Sequence, residues 1–164
     1  MKRNYLKTGM TFAVCVAIPL LVGLVSSFLS QDAMLQFDQM NKPLLAPPGW
    51  LFPIVWTILY VMMGVASFLI YTKRPATIEG QKSRCLALML YGFQLLFNFM
   101  WCILFFRWHA YVLAFVFLFI MWMLILWIIC HSIKVSKMAA VLLMPYLCWC
   151  TFAGYLNIMI GVLN

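Results

Sequence analysis

Aromatic rings and amides recur at helical spacing inside the apolar parts of this sequence. Trp56 and Tyr60 are four residues apart, Gln94 and Asn98 are four apart, and Trp101 follows three residues after Asn98. Residues three or four apart share one face of a helix. Rings of this kind stack on flat apolar molecules, and a few amides orient them by hydrogen bonds. The pattern favours a site for a large, flat, mostly apolar ligand.

The same residues have a simpler interpretation. Amides within a membrane also serve as hydrogen-bonding links between helices, worth on average about 0.6 kcal/mol each. Tryptophans such as Trp50 also act as anchors at the membrane surface. The sequence alone leaves ligand contact and helix packing both open for Gln94 and Asn98.

Acid–base and metal chemistry have few candidates. The three acidic residues, Asp32, Asp38 and Glu79, all lie in predicted loops, so no paired carboxylate is expected inside the membrane. His109 and His131 lie at opposite ends of predicted spans, and neither is placed to be an axial haem ligand. The six cysteines have no metal-binding spacing and are expected to be small apolar residues of the core. We expect no metal and no required cofactor.

The elements that must position these residues are predicted by composition. Hydrophobic residues make up 67% of the 164 residues, charged residues 9%, and mean hydropathy is +1.05. Runs 8–29, 49–71, 85–106, 110–130 and 138–163 are each long enough to cross a bilayer as a helix, and none alternates as a barrel strand does. The sequence predicts one all-α domain, 1–164, of five transmembrane helices. Its basic residues lie between runs, which argues against nucleic acid as the partner and for the lipid bilayer.

Charge predicts the orientation. Nine of the eleven Lys and Arg residues fall on one side of a five-span chain, and only Lys42 and Arg107 fall on the other. Basic loops stay cytoplasmic, so we expect a cytoplasmic N-terminus, an outer C-terminus and, in a bacterium, the cytoplasmic membrane. The long loop 30–46 is then outside, where loops of this length often form lids.

Residues of three helices are predicted to lie at similar depths in the membrane. At 1.5 Å per residue, Trp56 lies about 10 Å, Asn98 about 12 Å and Trp149 about 16 Å inside the outer ends of their helices. These residues predict a shared cavity in the outer half, made by helices two, three and five. Pro47 and Pro48 predict the start of the second helix, whose positive end and nearby Lys42 would attract carboxylates of a ligand.

Three segments carry a family resemblance: NKPLLAPPGWLFPIVWTILYVMMG, QLLFNFMWCILFF and PYLCWCTFAGYLN. They resemble the translocator protein family, the tryptophan-rich sensory proteins also called peripheral-type benzodiazepine receptors. The resemblance implies a five-helix bundle that binds porphyrins such as protoporphyrin IX under its first loop. Carried over by motif, the implied pocket residues are Pro47, Trp56, Gln94, Asn98, Trp149 and Ala153.

The resemblance leaves several functions open. A receptor or carrier of tetrapyrroles is the first, light- or oxygen-dependent porphyrin degradation by Trp56 and Trp149 is the second, and a structural or regulatory membrane subunit is the third. Phe37 stands where the family often has Trp, and with Lys42 it is expected in the lid. A homodimer is possible, although the small-residue motif around Gly92 is incomplete.

Overall fold

The computed structural model describes residues 2–30, 37 and 39–164, with the backbone alone for residues 2–5. This part of the chain contains five long helices and one π-helical turn. In chain order they are α1 (Lys2–Leu29), α2 (Leu51–Thr72), α3 (Ile78–Cys102), the π-turn (Ile103–Arg107), α4 (Tyr111–Ile133) and α5 (Lys137–Leu163). Five spans long and apolar enough to cross a membrane are found among the described residues, and no strand is. The all-α membrane bundle predicted from composition is confirmed.

Successive helices run in opposite directions, which gives the bundle two distinct ends. We call the end that carries the start of α1 and the α2–α3 and α4–α5 connections the basic end, and the opposite one the loop end. At the basic end, Thr77 and Ser136 cap α3 and α5 by accepting from the backbone N–H three residues later. Arg84 donates to the terminal carbonyl of Tyr71 at 2.6 Å. Because Thr77 sets the start, α3 begins at Ile78, ahead of the apolar run at 85.

The start of α2 differs from the sequence prediction. Pro47 and Pro48 precede the helix, which begins at Leu51, so the predicted start at this pair is wrong. The Pro48 carbonyl accepts from the Leu51 N–H at 3.0 Å in a turn that leads into the helix. Pro53 is therefore the third helical residue, where an N–H has no intrahelical partner to lose. It fits the first turn without breaking the helix.

The helices form a ring in the order α1, α2, α5, α4, α3. Glycines bring α1 and α2 together: a Cβ on Gly64 would lie 2.5 Å from the Val16 Cα, and one on Gly23 would overlap the Tyr60 ring. Close backbone approach of this kind holds helices together in lipid. In contrast, α1 and α3 meet only lightly, so the ring is loosely closed along a line that we call the α1–α3 seam.

Candidate functional site

A cavity of about 400 Å³ lies on the α1–α3 seam in the half of the bundle nearer the loop end. We call it the outer cavity. Its aromatic wall consists of Phe52, Trp56 and Tyr60 of α2, Trp101 of α3 and Phe106 of the π-turn. The rest of its lining is Leu20, Gly23, Leu24, Ser26, Ser27, Ser30, Pro53, Thr57, Asn98 and Cys102. Its size is within the range of sites for small organic molecules.

The aromatic wall is made of rings in mutual contact. The Trp56 ring lies 5.9 Å from the Trp101 ring and 5.5 Å from the Tyr60 ring, centroid to centroid. Trp101 in turn contacts Phe106 at 6.2 Å. Contacts at these separations add about 0.5–1.5 kcal/mol each beyond area burial. The wall is thus preorganised to stack against a flat ligand.

Most polar groups of the outer cavity are directed into the protein. Ser26 donates to the Val22 carbonyl at 2.8 Å, and Thr57 donates to the Pro53 carbonyl at 2.7 Å. The Ser30 hydroxyl lies 3.5 Å from the Cys102 sulfur. The surface left to a ligand is therefore largely apolar.

Behind the aromatic wall, polar side chains of three helices form one buried network. Asn98 accepts from the Tyr60 hydroxyl at 2.7 Å and donates to the Tyr146 oxygen at 3.2 Å. Tyr146 donates to Gln94 Oε1 at 2.8 Å. Asn98 and Gln94 are each 1% exposed. The network links α2, α3 and α5, so both amides serve helix packing, and Asn98 also borders the cavity.

Comparison with known proteins agrees with this architecture. The model of the TspO/MBR family matches residues 15–163, nearly the whole chain. The chain belongs to the TspO/MBR family. The predicted resemblance is confirmed, and the chain is a multi-pass membrane protein of that family.

Relatives of this TspO/MBR protein come from bacteria and animals. The tryptophan-rich protein TspO of Chlorobaculum tepidum is 36% identical over 159 residues, which cover 96% of this chain and 98% of the relative. The tryptophan-rich sensory protein of Cereibacter sphaeroides is 36% identical, covering 74% and 72%. Translocator protein 2 of Canis lupus familiaris is 34% identical, covering 85% and 80%. These names refer to sensory and translocator roles of the relatives.

The structure divides the site residues predicted for this TspO/MBR protein into two groups. Trp56, Tyr60, Asn98 and Trp101 line the outer cavity. Four other residues predicted for the pocket do not line this cavity: Pro47, Gln94, Trp149 and Ala153.

Phe52 explains why α5 is absent from the wall. Its ring borders the outer cavity and contacts the Trp149 ring at 5.9 Å from the other side. The Trp149 Nε1 is buried without a hydrogen-bond partner among the described residues. Helix α1 therefore takes the place in the wall that the sequence predicted for α5.

The predicted lid residues lie on the α5 side of the loop end. Phe37 is 1% exposed and contacts the Phe52 ring at 4.8 Å, and the Lys42 ammonium lies 4.9 Å from the Phe37 ring centroid. Asn41 and Asn164 exchange hydrogen bonds of 3.0 and 3.1 Å, which fasten this part of the loop to the end of α5. The predicted loop acids Asp32 and Asp38 lie outside the described residues.

Sequence reasoning missed the α1 wall and the π-turn. Gly23, Ser27 and Ser30 lie at spacings of four and three residues within an otherwise apolar run, and this small-residue stripe was a usable signal. The π-turn has no comparable signal, although such turns often occur at functional sites. It directs Phe106 into the cavity and lets Arg107 donate to the Leu29 carbonyl at 3.1 Å.

Metal chemistry has no visible basis in the described part of the chain. No group of three His, Cys, Asp or Glu side chains is close enough there to hold an ion. All six cysteines are free thiols. Cys150 is buried as expected, whereas the other five are partly or fully exposed, so the predicted core position is wrong for them. The arrangement is suited to binding an apolar ring system by stacking.

Proposed function

We propose that this TspO/MBR protein binds porphyrins of the protoporphyrin IX class, and similar flat hydrophobic molecules, in the outer cavity. Its role would be sensing or transport of tetrapyrroles. The observation that supports this most is the aromatic wall, in which Trp56, Trp101 and Phe106 form a continuous apolar surface beside a cavity of about 400 Å³. If these rings served only to pack helices together, no cavity would be needed beside them.

The electrostatics favour one orientation of such a ligand. The first turn of α2 lies at the cavity, because Phe52 and Pro53 are among the lining residues. The positive end of a helix dipole attracts anions, and the described lining contains no acidic side chain. We propose that the propionates of a porphyrin point towards the loop end and the macrocycle lies against the aromatic wall.

The charge distribution supports an orientation in the membrane. Nine of eleven basic residues belong to the basic end, and Lys42 and Arg107 belong to the loop end. By the positive-inside rule the basic end is cytoplasmic. The outer cavity would then face the outer leaflet, in the cytoplasmic membrane if the source is bacterial.

Titration in the dark tests the proposed ligand. Protoporphyrin IX is added to the purified protein in detergent while tryptophan fluorescence is followed, in the native chain, Trp56→Phe and Trp127→Phe. Trp56 lines the cavity, whereas Trp127 is 56% exposed on α4 and is the matched control. We expect saturable quenching at micromolar porphyrin that is reduced in Trp56→Phe alone. Linear quenching, equal in all three proteins, would leave the structural-subunit alternative.

Porphyrin degradation is a second candidate, favoured by the position of Trp56 in the cavity wall. Of the two tryptophans that this mechanism would use, Trp56 borders the cavity and Trp149 lies behind Phe52. Illumination of the bound complex should bleach the Soret band more slowly in Trp56→Phe than in the native protein. Equal bleaching in both proteins would remove this candidate and leave binding alone.

A further inference from the structure

A second cavity, of about 710 Å³, lies on the α1–α3 seam in the half of the bundle nearer the basic end. We call it the basic-end groove. One stripe of α1 forms its long side, with Lys7, Met10, Val14 and Ile18 spaced three or four residues apart. At 1.5 Å per residue this stripe is about 16 Å long. The groove is thus elongated. Lys7 lies at the end of the groove nearest the membrane surface, and apolar side chains lie along its length.

Two hydroxyl groups of the basic-end groove are directed away from it. Thr11 donates to the Lys7 carbonyl at 2.9 Å, and Ser67 donates to the Gly64 carbonyl at 2.8 Å. Both bonds turn the hydroxyl towards the backbone and leave carbon surface in the groove. Leu88 of α3 forms part of the opposite side.

The groove is accessible from the lipid. Met10 is 64% and Val14 56% exposed, so these two side chains of the groove are open to the surrounding lipid. A lipid of the membrane therefore has direct access to the groove.

The charges of the basic end favour an anion at the Lys7 end of the groove. Beyond Lys7, the basic end carries exposed Lys73, Arg74, Lys82, Lys134 and Lys137. The acidic residue described there, Glu79, is already bound to Lys134 at 2.6 Å. Juxtamembrane basic residues attract anionic lipids.

We propose that the basic-end groove is a binding site for one anionic glycerophospholipid, with the phosphate at Lys7 and one acyl chain along Met10, Val14 and Ile18. This site is separate from the outer cavity and does not depend on the proposed porphyrin ligand. The lipid would fill the seam where α1 and α3 meet only lightly.

Native mass spectrometry of the full chain tests the proposal. The protein in detergent is offered phosphatidylglycerol or phosphatidylcholine with identical acyl chains. We expect one phosphatidylglycerol to be retained with about fivefold preference, because one basic residue near the head group contributes about that factor. Equal retention of the two lipids would overturn the proposal.

Matched variants locate the lipid. Lys7→Gln should remove most of the preference, whereas Lys137→Gln, the same charge change at the same end but outside the groove, should keep it. Val14→Trp should displace the chain, whereas Val116→Trp on the exposed face of α4 should not. An equal effect of Lys7→Gln and Lys137→Gln, or retention in Val14→Trp, would show binding elsewhere on the surface and overturn the assignment.

A substitution at Tyr91 distinguishes an acyl chain from a more polar occupant of the groove. Its hydroxyl is buried at the groove without a hydrogen-bond partner among the described residues. A hydrocarbon chain has no acceptor to offer, so Tyr91→Phe should leave lipid retention unchanged. Loss of retention in Tyr91→Phe would show that the occupant places a polar group there, and would overturn the acyl-chain assignment. Monodisperse elution and helical circular dichroism serve as the folding check for each variant.

Discussion

The two sides of the bundle are built differently. Where α2, α3 and α5 meet, the Tyr60, Asn98, Tyr146 and Gln94 side chains are joined by buried hydrogen bonds. Along the α1–α3 seam, the polar side-chain contacts found between described residues lie at the loop end, at Arg107 and Leu29 and at Ser30 and Cys102. Both cavities lie on the seam.

The difference shows how a membrane protein reserves space for ligands. Lipid tails are as apolar as the helices, so helix association depends on close packing and hydrogen bonds. Between α2, α3 and α5 the buried hydrogen bonds provide that attachment, and Tyr60 and Asn98 of this network form one edge of the outer cavity. Where α1 is held mainly by its glycine contacts with α2, volume remains for small molecules. If these two kinds of attachment are independent, substitutions should change them separately.

The largest effect is expected at the glycine contact that holds α1. In Gly64→Ala the new Cβ would lie 2.5 Å from the Val16 Cα, a backbone atom that moves only if α1 moves. Such overpacking costs about 1–3 kcal/mol of unfolding free energy. The measurement is the unfolding midpoint in mixed detergent–SDS micelles.

Gly92→Ala is the matched control, since a Cβ there meets nothing within 4 Å. Alanine in an open helical position should stabilise by about 0.5–1 kcal/mol. If both variants shift the midpoint in the same direction, the glycine contact does not hold α1.

A somewhat smaller effect is expected in the buried network. Asn98→Ala removes two hydrogen bonds and leaves the Tyr60 hydroxyl without its acceptor, which should cost about 1–2 kcal/mol of unfolding free energy. Ser27→Ala, at a cavity-lining position on α1, should change it by less than about 0.5 kcal/mol. Equal losses in these two variants, measured by the same unfolding assay, would contradict the difference between the two sides.

The sequence predicted the five spans and the aromatic side of the cavity for clear physical reasons. Hydropathy over about 20 residues determines a span, and helical spacing places Trp56, Tyr60 and Asn98 on related faces. The choice between α1 and α5 as the remaining wall depends on how helices pack, and the side chain that decides it is Phe52. Its ring borders the cavity and contacts Trp149, which does not. The spacing of residues along the sequence does not predict which of these two rings lies at the cavity.

Filling the outer cavity should affect ligand binding without affecting stability. Ser27 lines the cavity and is exposed, so Ser27→Phe places a ring in the ligand space without disturbing buried packing. Affinity for protoporphyrin IX, measured by tryptophan quenching, should fall about tenfold, which corresponds to about 1.4 kcal/mol. Val25→Phe on the same helix is the matched control, because Val25 is 46% exposed and does not line the cavity. An equal loss of affinity in both variants would mean that the porphyrin binds on the lipid-facing surface of α1.

The smallest effect is expected at the ion pair between Glu79 and Lys134, which links α3 and α4 at the basic end. Its N–O distance is 2.6 Å, yet the two side chains are 75% and 50% exposed. Water and salt screen an exposed pair, and holding two mobile side chains together costs entropy. Glu79→Gln should therefore leave the unfolding midpoint unchanged at both low and high salt. A clear, salt-dependent loss would mean that surface charge contributes to holding α3 against α4. Suppose that Glu79→Gln loses no unfolding free energy whereas Asn98→Ala clearly does. The stability of this side of the bundle would then come from hydrogen bonds that are buried from both water and lipid.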